Sequence, residues 1–190
     1  LVIPLMAAVT RHLGFGVTFS TSYEPPFSFA RRMSTLDHLT GGRVGWNIVT
    51  SYLADANANL GVTEELSHDE RYDRADEYMD VCYKLWEHSW EEDALVRDAE
   101  RDVFVEPSRV HQIDHEGRWF KVPGPHMCEP SPQRTPILFQ AGQSGRGTAF
   151  AAKHAEAIFC VYPHREACRR GVDKLRTATL AAGRAEAHLK

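Results

Sequence analysis

The sequence predicts an α/β protein built on a parallel sheet. Three observations carry that prediction. Short apolar, β-branched runs alternate with amphipathic helical stretches. Runs such as VGWNIV suit strands covered on both faces, the habit of parallel sheets. Polar or Gly-rich turns follow the strands, at the carboxyl ends where α/β proteins gather function. The chain has 190 residues, 43% hydrophobic and 25% charged, which is enough for one good core and ordinary for a globular domain.

Leu1 to His12 reads as the tail of a helix with Leu5, Ala8, Val9 and His12 on one side. Gly14 punctuates, and Phe15 to Ser20 reads as a buried strand. After the Tyr23-Glu24-Pro25-Pro26 turn, Phe29, Met33, Leu36 and Leu39 give a helix over Phe27 to Leu39, stopped by Thr40-Gly41-Gly42. Arg43 to Thr50 is the next strand, covered on both faces. Ser51 to Leu66, rich in Ala, Asn and Gly, reads as a loop. Ser67-x-x-Glu70 is a capping box that opens a helix to about Trp90, with Tyr72, Ala75, Tyr78, Met79, Cys82, Leu85 and Trp86 as its apolar stripe.

Residues 91–135 break the rhythm. Five of the ten prolines lie there between 107 and 132, and His115 to Phe120 reads as a hairpin turn, so the segment is an irregular excursion. Regular order returns with a short buried strand over Ile137 to Gln140, a tight turn over 141–145 and a helix from Gly147 to His154. A strand over Ala157 to Val161 and an amphipathic helix over Arg165 to Ala182 complete the chain. Four strands alternating with helices fit either an open doubly wound sheet or about half of a (β/α)8 barrel, since a whole barrel takes about 250 residues. The apolar start at Leu1 and the end at GRAEAHLK read as cuts through something larger.

Composition narrows the function classes. A net charge of -4 excludes a basic nucleic-acid surface as the main theme. Apolar runs fall short of the ~20 residues that cross a bilayer, and LVIPLMAAVT lacks the positively charged start of a secretion signal. Cys82, Cys128, Cys160 and Cys168 form no C-x-x-C pair and read as free thiols of a reducing, cytoplasmic compartment.

Three strand ends carry candidate chemistry. At the first, Asn47 is a polar amide inside an apolar strand, and Thr50 and Ser51 reach the strand mouth; ordinary turn chemistry is the alternative. At the second, His68 and Tyr72 share one face in the first turns of a helix, where free N–H groups favour an anion; a core tyrosine beside a capping neighbour is the alternative. At the third, Gln140-Ala141-Gly142-Gln143-Ser144-Gly145-Arg146-Gly147 leads from strand to helix. Ser144 is placed there to cap the helix and meet an anion. This turn matches neither a Walker A loop nor G-x-G-x-x-G. Together these ends suggest a phosphate-bearing ligand between neighbouring strand–helix loops. His111-x-x-x-His115 has metal-ligand types, but the stretch reads as extended, so no metal is expected. Without G-x-S-x-G, a serine hydrolase is not supported.

The following residues resemble one family in order and spacing: Ala30 to Ser51 (ARRMSTLDHLTGGRVGWNIVTS); Asn59-Leu60-Gly61; His68-x-Glu70-Arg71-Tyr72; Leu85-Trp86-x-x-Ser89-Trp90; His115-x-Gly117-x-x-Phe120-x-Val122-x-Gly124-Pro125; and Gln140-Ala141-Gly142-x-Ser144. They are similar to the flavin-dependent monooxygenases of the nitrilotriacetate and dibenzothiophene-sulfone monooxygenase group, in the bacterial-luciferase-like superfamily. The resemblance implies a (β/α)8 TIM barrel, of which residues 1–190 are one partial domain lacking amino- and carboxyl-terminal parts, with 91–135 an insertion. It implies FMN, used as FMNH₂, at the carboxyl ends of the strands. Asn47 and Thr50 would face the isoalloxazine or ribityl side. His68 and Tyr72 would lie near the ribityl-phosphate, and Ser144, with the backbone at Gly142 and Gln143, would hold the phosphate. Gln143 stands where the family often has a small residue. The implied reaction inserts one oxygen atom from O₂ into a small organic substrate through a C4a-peroxyflavin. The implied partner is a separate NAD(P)H-dependent flavin reductase, and the complete enzyme is a homo-oligomer; neither membrane nor nucleic acid is involved. No residue is singled out as catalytic. The alternative is a truncated, non-catalytic remnant of such an enzyme.

Overall fold

The computed structural model describes residues 2–51, 54–62 and 66–190. Its element order is α1 (Ile3–Ala8), β1 (Phe15–Ser20), α2 (Pro26–Thr40), β2 (Val44–Val49), α3 (Ala54–Asn59), α4 (His68–Tyr83), β3 (Leu95–Asp98), β4 (Val103–Val105), β5 (His115–Glu116), β6 (Lys121–Val122), β7 (Ile137–Gln140), α5 (Gly145–His154), β8 (Ala157–Ile158) and α6 (Arg165–Ala181). A π-helical turn over Lys84–His88 extends α4.

The expected parallel sheet is present, with strand order β1-β2-β7-β8. β2 and β7 pair in parallel with Ile48 opposite Gln140, and β7 and β8 pair in parallel with Gln140 opposite Ile158. At the β1 edge, Phe15 N–H donates to Arg43 O and Thr21 N–H to Val49 O, so those strands also run the same way. The excursion contributes two small antiparallel hairpins, β3-β4 and β5-β6, the second where the His115–Phe120 turn was expected.

The chain forms two compact units. One comprises Leu1–Phe15, Glu24–Val44 and Arg74–Pro136; the other comprises Gly16–Tyr23, Gly45–Asp73 and Ile137–Lys190. In the first, Phe29 lies 5.8 Å from Tyr78 and 6.4 Å from Trp86, ring centre to ring centre, and all three are buried. The α4 stripe read from the sequence is buried from Tyr72 through Trp86. Gly41 ends α2 in the left-handed region at φ 62°, which glycine enters without a Cβ penalty. In the second unit the buried residues include Trp46, Ile48, Leu138 and Phe150, and the Trp46 indole donates to Phe19 O.

Several expectations are corrected. Only Phe15 and Ser20 of β1 are buried, and β2 and β7 are covered less fully on one face than on the other. Val44, Trp46, Ile48, Leu138 and Gln140 point to the buried side. Asn47, Val49 and Phe139 are half-buried on the other, and Ile137 is 44% exposed. The β8 strand is two residues long instead of five. Phe159 and Val161, beyond its end, are exposed. Within the expected 51–66 loop, α3 forms. Asp55 sits in its first turn, where the helix dipole favours a carboxylate, and Asn59 Nδ2 donates back to Asp55 O. The rest of that loop at 52–53 and 63–65 lies outside the described residues. Among the described residues no helix is long and apolar enough to cross a membrane.

Candidate functional site

The capping box forms as written in the sequence. Ser67 Oγ donates to Glu70 Oε2 at 2.8 Å, and Glu70 N–H donates back to Ser67 Oγ. It starts α4 so that His68 and Tyr72 come one above the other, with their rings 5.2 Å apart edge to face. The Tyr72 ring is held by Phe150 of α5 at 5.5 Å. The Tyr72 ring is therefore core, as the alternative reading had it, and Tyr72 also borders a cleft.

That cleft has a volume of about 320 Å³ and lies at the carboxyl ends of β2 and β7. Thr50, Ser51, Tyr72, Gln140, Ala141 and Gly142 line it. Beside Tyr72, Ser144 begins α5 with extended backbone, and its Oγ accepts from Gly147 N–H at 3.0 Å. Helix geometry leaves the N–H groups of Gly145 and Arg146 pointing out of the helix end, where the dipole favours an anion. His68 Nε2 lies 3.3 Å from Ser144 Oγ, and its Nδ1 lies 2.6 Å from Asp69 Oδ1. Arg146 adds a guanidinium 5.8 Å over the Tyr72 ring and pairs with Asp73 at 2.7 Å.

Two glycines make this closeness possible. A Cβ on Gly142 would collide with the Gln140 amide and sit 2.7 Å from the Tyr72 hydroxyl. On Gly147 it would sit 2.8 Å from that hydroxyl and 3.0 Å from Ser144 Oγ. The turn's glycines thus keep backbone N–H groups and hydroxyls on one small surface, a cradle suited to a phosphate.

At the β2 end, Ser51 takes φ 47°, an uncommon backbone for a residue with a side chain. Its Oγ donates to Ser20 Oγ at 2.8 Å, and Ser22 Oγ donates to Thr50 O at 2.8 Å, tying the end of β1 to the mouth of β2. The structure therefore brings together Thr50, His68, Tyr72 and Ser144. Asn47 stands apart from the cleft lining, inside β2, where its Nδ2 donates to Thr18 Oγ1 at 3.1 Å.

Sequence reasoning missed Gln140 and Arg146. Gln140 is 3% exposed, and its Nε2 donates to the Tyr72 hydroxyl at 3.4 Å. Its polar amide at the end of a strand read as buried was the available signal. The two histidines weighed as metal ligands are engaged separately, His111 with Glu91 at 2.7 Å and His115 with Glu77 at 3.3 Å.

The pattern of the luciferase-like monooxygenases matches residues 1–190. A long-chain alkane monooxygenase of Geobacillus thermodenitrificans is 56% identical over 190 residues, covering 100% of this chain and 43% of the relative. Component A of the nitrilotriacetate monooxygenase of Aminobacter aminovorans is 42% identical over 155 residues, 81% of this chain and 34% of the relative. A crystal structure of a riboflavin lyase with modified FMN and riboflavin superposes with a TM-score of 0.95 at 45% identity, covering 100% of this chain and 42% of that chain. The chain spans less than half the length of the curated relatives it matches. The fold and the family expected from the motifs are those observed, and the chain belongs to the luciferase-like monooxygenase family.

Proposed function

We propose that this chain is the cofactor-phosphate portion of a flavin-dependent monooxygenase barrel, one partial domain of it. The supporting observation is the convergence of Ser144, the α5 N-terminus, His68 and the Tyr72 hydroxyl on one glycine-walled cradle. These residues fit an FMN phosphate. Ser144 Oγ and the N–H groups of Gly145 and Arg146 would hold its oxygens, and Tyr72 and His68 would flank it. Thr50, just past the end of β2, and Asn47, within the strand, would address the ribityl chain and the ring. When bound as FMNH₂, the cofactor supplies two electrons, so that one atom of O₂ enters a small organic substrate and the other leaves as water. The chain's own residues bind, orient and shield that cofactor.

The relatives bear names as different as a long-chain alkane and a nitrilotriacetate monooxygenase. A site common to both serves what they share, which is the cofactor, and leaves substrate choice to other loops. The designation of one relative as component A supports a second component here, which we assign as an NAD(P)H-dependent flavin reductase in the same, cytoplasmic compartment. A homo-oligomeric complete enzyme belongs to the same proposal.

The test is a titration of the purified protein with FMN and riboflavin. FMN binds at least tenfold more tightly, and Ser144→Ala or Tyr72→Phe removes most of that preference while leaving riboflavin binding in place. Equal affinity for the two flavins overturns the reading.

A further inference from the structure

Gln140 occupies a position where the fold itself calls for an apolar side chain. It closes β7 on the buried side of the sheet, two residues after buried Leu138, with Ile48 and Ile158 as its register neighbours on either side. Its side chain is nevertheless an amide, 3% exposed, facing the cleft. The Nε2 group has a use, since it donates to the Tyr72 hydroxyl at 3.4 Å. Among the described residues the Oε1 atom, equally buried, accepts nothing. A buried acceptor without a donor is a standing cost that a core side chain of the same size would avoid.

We propose that Gln140 is a ligand-positioning residue with two tasks, an inference that rests on the phosphate reading above. By donating to the Tyr72 oxygen, it occupies a lone pair there and leaves the phenolic proton for an acceptor in the cleft, a phosphate oxygen. With Oε1 it accepts a hydrogen bond from a hydroxyl on the chain attached to that phosphate. The donor is a neutral hydroxyl because a cation would meet the positive end of α5 and the Arg146 guanidinium. Gly142 is part of the device, since any Cβ there would collide with the Gln140 amide. The ligand class is a phosphorylated polyol chain, as in FMN.

Three flavins separate the two tasks: FMN, riboflavin, which lacks the phosphate, and lumiflavin, which lacks the polyol as well. Gln140→Met keeps the volume and removes both polar atoms. It weakens riboflavin about tenfold through the polyol task and FMN several-fold more through both, and leaves lumiflavin unchanged, with no loss of melting temperature. Gln140→Glu keeps an acceptor but places a carboxylate beside the phosphate. Riboflavin affinity stays within about threefold while FMN weakens about tenfold, recovering as the pH falls and the introduced carboxylate takes up a proton. Riboflavin binding of Gln140→Met equal to wild type overturns the proposal, as does an equal loss of lumiflavin, which marks a merely structural role. Wild-type protein that holds FMN and riboflavin alike overturns the phosphate reading instead, and the riboflavin–lumiflavin arm then still decides Gln140. Wild-type protein that holds no flavin overturns both.

Discussion

At Glu77, in the α4 helix of the first unit, a carboxylate with 12% side-chain exposure accepts from Phe120 N–H at 2.7 Å and from Trp119 N–H at 3.1 Å. It also accepts from His115 Nε2 at 3.3 Å, and Lys84 Nζ, 3.2 Å from His115 Nδ1, fixes that tautomer. At the end of β7, in the second unit, Gln140 is as deeply placed and leaves an acceptor unused. The two regions dispose of buried polarity in opposite ways. Glu77 is complete within the chain and pins the β5-β6 hairpin to α4. Even Gly117 belongs to it, since a Cβ there would collide with the carboxylate. Among the described residues the β7–α5 turn is incomplete, with an orphaned Gln140 acceptor in the cleft and the α5 N-terminus nearby. A satisfied network builds structure, whereas an unsatisfied one beside a cavity is the feature on which the proposed ligand role rests.

The comparison breaks most readily at Glu77. Glu77→Leu strands two backbone N–H groups and a histidine, and hydrogen bonds to a charged group are each worth about 1.5–3 kcal/mol. The expected loss of unfolding free energy is about 3 kcal/mol or more, measured by denaturant titration, with the FMN-over-riboflavin ratio unchanged. Burial raises the Glu77 pKa, but the hydrogen bonds from Phe120, Trp119 and His115 outweigh it and hold the carboxyl below its usual 4.5. The group therefore stabilises the fold above its unfolded pKa and loses that contribution as the pH falls through its folded value. The Leu variant should lack this part of the acid limb. A loss below 1 kcal/mol would show that Glu77 is not the pin.

His126 gives a second acid response, at higher pH. Burial pushes its pKa down from 6.5 to about 4. Its Nε2 meets Ser34 Oγ at 2.9 Å, and its Nδ1 is buried without a partner among the described residues. The unfolded chain takes up a proton below pH 6.5 that the folded chain refuses until about pH 4, so stability falls with pH across that window. The expected loss is on the order of 3 kcal/mol, at 1.36 kcal/mol per unit of pKa shift. His126→Asn cannot titrate and should flatten the profile between pH 6.5 and 4. An unchanged slope would remove His126 as its cause.

What the sequence disclosed and what it withheld follow from range. The Ser67–Glu70 box, the left-handed Gly41, the α4 stripe and the His115–Val122 hairpin depend on residues within a few positions of one another, and each was legible. So was the Ser144 cap, because its acceptor role is local to the turn. Gln140 was not, because its partner Tyr72 lies 68 residues away, nor was His126, whose partner Ser34 lies 92 away. The partial burial of β1 and the unequal cover of the two faces of β2 and β7 could not be read either. An apolar strand is written the same way whichever layers reach it. The α3 helix was lost to composition, since Ala-Asp-Ala-Asn-Ala-Asn mixes strong helix formers with residues that favour turns.

The smallest effect belongs to the exposed rim of the site and sharpens the contrast with Glu77. Asp69 lies 2.6 Å from His68 Nδ1, as close as Phe120 N–H lies to Glu77 at 2.7 Å, yet the two side chains are 74% and 48% exposed. Water competes for both groups, and exposed pairs of this kind contribute about 0–1 kcal/mol at most. Asp69→Ala should therefore leave the unfolding free energy within about 0.5 kcal/mol of wild type. The same contact has a geometric consequence, because it holds the plane of the His68 ring beside Ser144. Removing Asp69 frees the ring to turn, so FMN affinity should drop about two- to threefold with riboflavin unaffected, a change of about 0.5 kcal/mol. A melting shift as large as that of Glu77→Leu would mean that distance, and not burial, sets the worth of a polar contact in this chain. A shift confined to FMN would place Asp69 with the unsatisfied, ligand-facing region.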